Sequence, residues 1–166
     1  MRVLGAFAPP LEIGMSNTLS IRPLRAEDYE AWLPLWRGYQ RFYQVTMDEA
    51  TINGTWRRYL LPDHAMRGWL AWDGERAVGL VHIVLHPSSW TLGDYCYLQD
   101  LFVAEDCRGL GAGRQLIEWV YEWASKRECT RVYWLTHETN ATARRLYDQL
   151  AENLGYIQYR KQLTPI

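Results

Sequence analysis

The chain has no apolar run close to the roughly 20 residues that a membrane-spanning helix needs. Its first seventeen residues, Met1 to Asn17, contain one Arg and the pair Pro9-Pro10 but no long apolar stretch of the secretory kind. They read as a tail ahead of the domain, with Met15 an alternative start. Cysteine is scarce: Cys96, Cys107 and Cys129 are odd in number, scattered, and without a C-x-x-C spacing. That excludes a disulfide framework and a zinc site, so no metal is expected. Reduced thiols fit a cytoplasmic protein. Excess charge of either sign is also missing, since 18 basic residues face 19 acidic ones for a formal charge of −1. The positive surplus that a phosphate backbone attracts is absent, so nucleic acid is not expected as a partner, and neither is a membrane. Internal repeats and low-complexity segments are lacking too.

What is present is one domain's length, 166 residues, of which 18–166 read as a single folded unit. Nine Trp and eleven Tyr stand against three Phe, a supply of rings with polar handles suited to cores and interfaces. A first short strand is expected near Ser20–Arg22. Tyr29, Trp32, Leu33, Trp36, Tyr39, Phe42 and Tyr43 recur at helical spacing, with Pro34 expected to kink or divide the helix. Thr46 and Glu49 read as a capping box for a second helix reaching about Leu60, ended by Pro62. Gly68–Trp72 and Ala77–Leu85 flank Asp73-Gly74 as a hairpin, and Tyr95–Val103 reads as a central strand. Gly111 opens a helix with Leu116, Ile117, Val120 and Ala124 on its apolar face. Then follow a strand over Arg131–Thr136, a helix capped by Asn140 and stopped at Gly155, and a closing strand over Tyr156–Gln162. The order lacks the regular alternation of a doubly wound fold and defines a mixed α/β sheet.

The chemistry concentrates where the central strand runs into a glycine-rich turn, Arg108-Gly109-Leu110-Gly111-Ala112-Gly113. Glycines there free the backbone, and the following helix start offers N–H groups and a positive dipole end to an anion. Arg108 adds a charged donor. A Walker A loop needs Lys and Ser or Thr after the last glycine, where this chain has Arg114-Gln115. A dinucleotide fingerprint needs another glycine spacing and an acid some 20 residues on. Both fit poorly; glycines that merely permit a tight turn are the other reading.

Arg108-x-x-Gly111-x-Gly113 resembles the signature of the GNAT superfamily of N-acetyltransferases. Tyr97-Leu98-Gln99-Asp100-Leu101-Phe102-Val103 is similar to the strand that precedes that loop, and Asn140-x-x-Ala143-x-x-Leu146-Tyr147 to the second signature. Leu-x-Asp-Leu-Phe-Val and the Trp32–Tyr43 helix look similar to the diamine/spermidine acetyltransferases and the fungal histone-acetyltransferase-like branch. One departure is the distance from Tyr147 to Gly155, where Leu150 to Asn153 are expected to add about a helical turn.

The resemblance implies a mostly antiparallel sheet of six or seven strands, splayed at an acetyl-CoA site and flanked by about four helices. It implies direct acetyl transfer from acetyl-CoA to a primary amine of a small molecule or a protein lysine, by a homodimer. The cofactor would lie on Leu101, Phe102 and Val103, on Arg108, Gly109, Leu110, Gly111, Ala112 and Gly113, and on Arg114 and Asn140. Tyr147 would be the general acid, with a packed core tyrosine as the plainer reading. Gln99 stands where those relatives carry Glu, which leaves Asp100 as the expected catalytic carboxylate if a bulge re-aims it, with His82 and His86 in reserve. Trp36, Tyr39, Tyr43 and Trp90, with Glu30, Asp48 and Glu49, are candidates for holding the amine. Gln99 also keeps open the alternative of a non-catalytic acyl-CoA-binding regulatory domain.

Overall fold

A computed structural model describes residues 19–163, so the tail expected over 1–17 lies outside the described residues. The chain begins with β1 (Ser20–Pro23), a 3-10 turn (Ala26–Asp28), α1 (Tyr29–Phe42) and α2 (Glu49–Leu60). It continues through β2 (Met66–Asp73), β3 (Arg76–His86), β4 (Tyr95–Val103), a second 3-10 turn (Glu105–Cys107) and α3 (Ala112–Ser125). β5 (Arg131–Tyr133) and α4 (Ala141–Leu150) close it. The sheet has the order β1-β2-β3-β4-β5, antiparallel throughout except for the parallel pair β4–β5.

This is the mixed α/β fold that the sequence implies, with five strands instead of six or seven. The difference is Tyr156–Gln162, which among the described residues forms no strand: Tyr156, Ile157 and Tyr159 stand exposed. β-rich composition makes a strand only where an edge receives it, and the outer edge of β5 is three residues long. α4 also stops earlier than expected. Ala151 caps it, and Gly155, although in left-handed backbone, sits four residues further on, so Leu150–Asn153 add no turn. Two other local expectations change. α2 is capped by Asp48, whose carboxylate accepts from the Thr51 N–H at 2.6 Å, instead of by Thr46. Pro34 neither divides nor ends α1, because it lies on the exposed side near the helix start, where its missing N–H costs one bond, that to the Glu30 carbonyl.

Two cores sandwich the sheet. On one face α1 and α2 bring Trp32, Leu35, Trp36, Ile52, Trp56 and Tyr59 onto Leu70, Leu80 and Phe102. On the other α3 lays its expected stripe, Leu116, Ile117, Val120 and Ala124, onto Trp69, Val81, Ile83, Cys96 and Leu98. β4 changes phase between these cores. Its register with β3 runs His86↔Tyr95 to Ile83↔Leu98 and then His82↔Asp100, so Gln99 is the extra residue of a bulge. Before it, Cys96 and Leu98 face α3. After it, Asp100 and Phe102 face α1 and α2, while Leu101 and Val103 face α3.

Candidate active site

The parallel pairing of β4 with β5 stops at Tyr97↔Tyr133. β4 continues to Val103 with no strand on its outer edge among the described residues, and the gap widens into a cleft of about 490 Å3. Its walls are the end of α1 (Tyr39, Phe42, Tyr43), β4 (Leu101 to Val103), the loop into α3, and α4 from Asn140 to Tyr147.

The loop earns its shape from two left-handed residues, Gly109 (φ 78°) and Gly111 (φ 86°), a conformation costly for any side chain. Arg76 pairs with Asp106 at 2.7 Å, tying the β2–β3 hairpin to the turn before them and holding the Asp106 carboxyl below its ordinary range. Arg108 donates from Nε to the Val103 carbonyl at 3.2 Å and lies 5.6 Å from the Phe102 ring centre. Gly111 is the N-cap residue of α3 and no side chain caps that end. The first helical bond is Gln115 N–H to the Gly111 carbonyl, so the N–H groups of Ala112, Gly113 and Arg114 have no intrahelical partner and sit at the cleft wall. An added Cβ at Gly113 would stand 3.4 Å from Leu146, which is how closely α3 and α4 approach.

Of the expected cofactor residues, Leu101, Phe102, Val103, Arg108, Gly109, Gly111, Ala112, Gly113, Arg114 and Asn140 all line this cleft; Leu110 alone points away, largely exposed. Arg114 is partly engaged, bonding Gln149 and lying 3.6 Å from Glu118. Asn140 is the α4 cap: its Oδ1 accepts from the Ala143 N–H at 3.4 Å and its Nδ2 donates to Thr136. Tyr147 lies on the same wall, its ring edge-on to Trp134 at 5.3 Å. Burial, with a smaller contribution from Tyr43, pushes its phenol up to about 12.

Asp100 is placed differently from a cleft-facing base. The bulge does re-aim it, but inward, where it is 6% exposed and outside the cleft lining. Its Oδ2 accepts from His82 Nδ1 at 3.0 Å, and His82 Nε2 accepts from the Trp32 indole at 3.0 Å. An indole N–H only donates, so the tautomer is fixed: the imidazole is protonated at Nδ1 and its other nitrogen is occupied. Both ring nitrogens of His82 are thus taken, and Asp100 is buried against it. Asp100→Ala is expected to lower unfolding free energy by about 1–3 kcal/mol, because it leaves a buried imidazole donor without an acceptor. Urea melts check this; an unchanged midpoint would contradict it.

Among the other candidates, Tyr39 and Tyr43 reach the cleft, with the Tyr39 phenol held well above its ordinary range by burial and by Asp100. Trp36 is core, Trp90 is 87% exposed, Asp48 is a helix cap, Glu49 pairs with Arg37, and Glu30 lines a separate groove. One pairing had no local signal. His86 Nε2 meets the Tyr133 hydroxyl at 2.8 Å. The two are 47 residues apart, and only the strand register brings them together.

A parallel strand pair that parts over a glycine-rich, uncapped helix start is the arrangement that the sequence resemblance implies. Residues 23–151 match the family described as the acetyltransferase (GNAT) family, and the chain belongs to it. It is 33% identical over 149 residues to the D-amino-acid N-acetyltransferase HPA3 of Saccharomyces cerevisiae, covering 89% of this chain and 92% of that one. It is 27% identical over 105 residues to the thialysine N-epsilon-acetyltransferase of Caenorhabditis elegans, covering 60% and 65%. The fold matches AAC(6')-Iy in complex with a bisubstrate CoA analogue, with a TM-score of 0.74 at 20% identity, over 87% of this chain and 99% of that one. The enzyme class is N-acetyltransferase.

Proposed function

We propose that this chain transfers an acetyl group from acetyl-CoA to the primary amine of a small molecule, with the α-amine of an amino acid, including the D configuration, as the first substrate class. The observation that carries the reading is the presence, on one cleft, of Tyr147 and the uncapped start of α3. The 33% identical D-amino-acid N-acetyltransferase supports the acceptor class; a polyamine or a protein lysine is the other class of acceptor.

The residues fit acetyl-CoA. The cleft volume lies within the ordinary range for small-ligand sites. Three N–H groups at a helix start suit a pyrophosphate, Arg108 and Arg114 flank it, and the unpaired edge of Leu101–Val103 suits an extended amide-bearing arm. Acetyl-CoA supplies the activated acetyl thioester. Tyr147 keeps its proton on Oη at neutral pH and lines the cleft, where it would protonate a departing thiolate. Tyr39 and Tyr43, at the end of α1, wall the opposite side of the cleft. Asp100, bonded to His82, is a positioning group that fixes the bulge, in place of the base that its sequence position implies. Free Cys96, Cys107 and Cys129 fit a cytoplasmic location. The exposed run of Leu154, Tyr156, Ile157 and Tyr159 supports a homodimer, a second copy being the surface that would cover it.

The test is turnover with acetyl-CoA, followed by free thiol, across D- and L-amino acids, polyamines, aminoglycosides and a lysine peptide. D-amino acids are expected to react. Tight CoA binding with inert chemistry on every amine would instead establish the acyl-CoA-binding regulatory domain.

A further inference from the structure

We infer that Tyr133 and His86 form the proton acceptor for the incoming ammonium group, an inference that rests on the acetyl-transfer reading. An amine near pKa 10 is almost wholly protonated at neutral pH and has no lone pair to attack with. Something at the acceptor side must take that proton. Gln99, where the resemblance places a carboxylate, cannot; both ring nitrogens of His82 are taken by Asp100 and Trp32, and Asp100 is buried against His82 and the Tyr39 phenol.

His86 differs from His82 in one respect that decides the matter. His86 Nδ1 lies 2.9 Å from the Pro87 carbonyl, which only accepts, so Nδ1 carries the hydrogen and Nε2 carries the lone pair. At 2.8 Å from Nε2 stands the Tyr133 hydroxyl, which then donates to it. His82 Nε2 is capped by a donor that can do nothing else; His86 Nε2 is capped by a hydroxyl that can accept a proton as it gives one up.

The pair is also in the right place. Tyr133 is the last residue of β5 to pair with β4, at the point where the two strands part. Val132 packs toward α3, so by alternation Tyr133 faces the opposite side of the sheet, as do Tyr95 and Tyr97 before the bulge. Tyr133 stacks on Tyr97 with ring centres 5.0 Å apart. Among the described residues, β5 contributes nothing to the buried core on the α1–α2 face, and both Tyr133 and His86 are only partly buried. Neither residue lines the cleft itself; an amine on this tyrosine floor would sit next to it, beside the point where β4 and β5 part.

The step balances. The ammonium N–H bond breaks and its proton passes to Tyr133 Oη, while the hydroxyl hydrogen of Tyr133 passes to His86 Nε2. The products are a neutral amine, an unchanged phenol and an imidazolium. Both N–H groups of that imidazolium have acceptors, Tyr133 Oη and the Pro87 carbonyl. After product release it returns the proton to water. The ionisable groups around the pair are Tyr95, which contacts both rings, Tyr97, Arg131, which lies over Tyr95 at 4.3 Å, and, from the opposite face of the sheet, the buried Cys96 thiol. No carboxylate contacts the pair among the described residues.

The test uses the full chain with Tyr133→Phe, His86→Asn and both together. Each single variant is expected to lose about 100-fold in kcat at pH 7 with an acceptor of pKa near 10, in line with the lower range for general-base catalysis. The double variant is expected to lose no more than the worse single one, because the two act as a unit. The deficit is expected to shrink as pH rises toward 10, and to vanish with hydroxylamine or methoxyamine, which are mostly neutral at pH 7. Acetyl-CoA affinity is expected to stay unchanged. Equal losses with the neutral nucleophiles, additive losses in the double variant, or a pH-independent deficit would each overturn the assignment. A wild-type chain that binds acetyl-CoA but acetylates no amine, neutral ones included, would instead fail the acetyl-transfer reading and take the assignment with it.

Discussion

Gly111→Glu is expected to leave a folded protein that no longer binds acetyl-CoA. Gly111 has φ 86°, so any side chain there costs about 1–2 kcal/mol in backbone strain. That is a modest part of the roughly 5–15 kcal/mol that keeps a domain folded. Within the protein the added side chain meets little, since the nearest atom to a Cβ is Gln115 Nε2 at 4.0 Å. It therefore projects into the cleft mouth. There its carboxylate does what a pyrophosphate would do: it accepts from the unbonded N–H groups of α3 and sits on the positive end of the helix dipole. The variant thus carries its own competitor. Affinity for acetyl-CoA, measured by titration calorimetry, is expected to fall by at least about 100-fold, near 3 kcal/mol at 1.4 kcal/mol per tenfold change. Gly111→Ala separates strain from charge: it carries the same backbone penalty without the anion, and is expected to lose far less. Equal affinities for the Glu and Ala variants would remove the α3 start from the anion-binding role.

The cleft wall proposed for the cofactor was legible in the sequence because it is built locally. Glycine positions, a strand running into a turn and a helix start all lie within Tyr95–Gly113, and the apolar stripe Leu116-Ile117-Val120-Ala124 follows from spacing alone. The residues proposed for the acceptor side were not, because distant segments bring them together by register. Alternation places Asp100 and Cys96 on one face of β4, but the extra residue Gln99 puts them on opposite faces, and no local signal announces a bulge. Tyr133 and His86 become neighbours only through the β3–β4 and β4–β5 pairings. The missing sixth strand has the same origin. Tyr156–Gln162 has strand composition, but an edge to receive it is a tertiary fact that composition cannot supply.

Tyr147→Phe is expected to slow turnover by about 100-fold or more while leaving acetyl-CoA affinity within about twofold. The split follows from what the substitution removes. The ring packs against Trp134, and phenylalanine keeps that contact, so the wall of the cleft is preserved. Only the hydroxyl goes, and with it the proton offered to a departing thiolate, a contact made as the carbon–sulfur bond breaks and so expressed in kcat. The pH behaviour adds an independent readout. Burial raises the phenol to about 12 in the folded chain, above its ordinary value near 10. Below pH 10 both folded and unfolded forms hold the proton. Between about 10 and 12 the unfolded chain has lost it and the folded chain has not, so the wild type loses stability as pH rises through that window. The Phe variant lacks this loss. Its stability relative to wild type is therefore expected to improve from pH 10 upward, and the wild-type rate is not expected to fall from loss of this proton below that range. A variant with wild-type kcat would remove Tyr147 from the acid role, whereas a parallel loss of acetyl-CoA affinity would make it a binding residue.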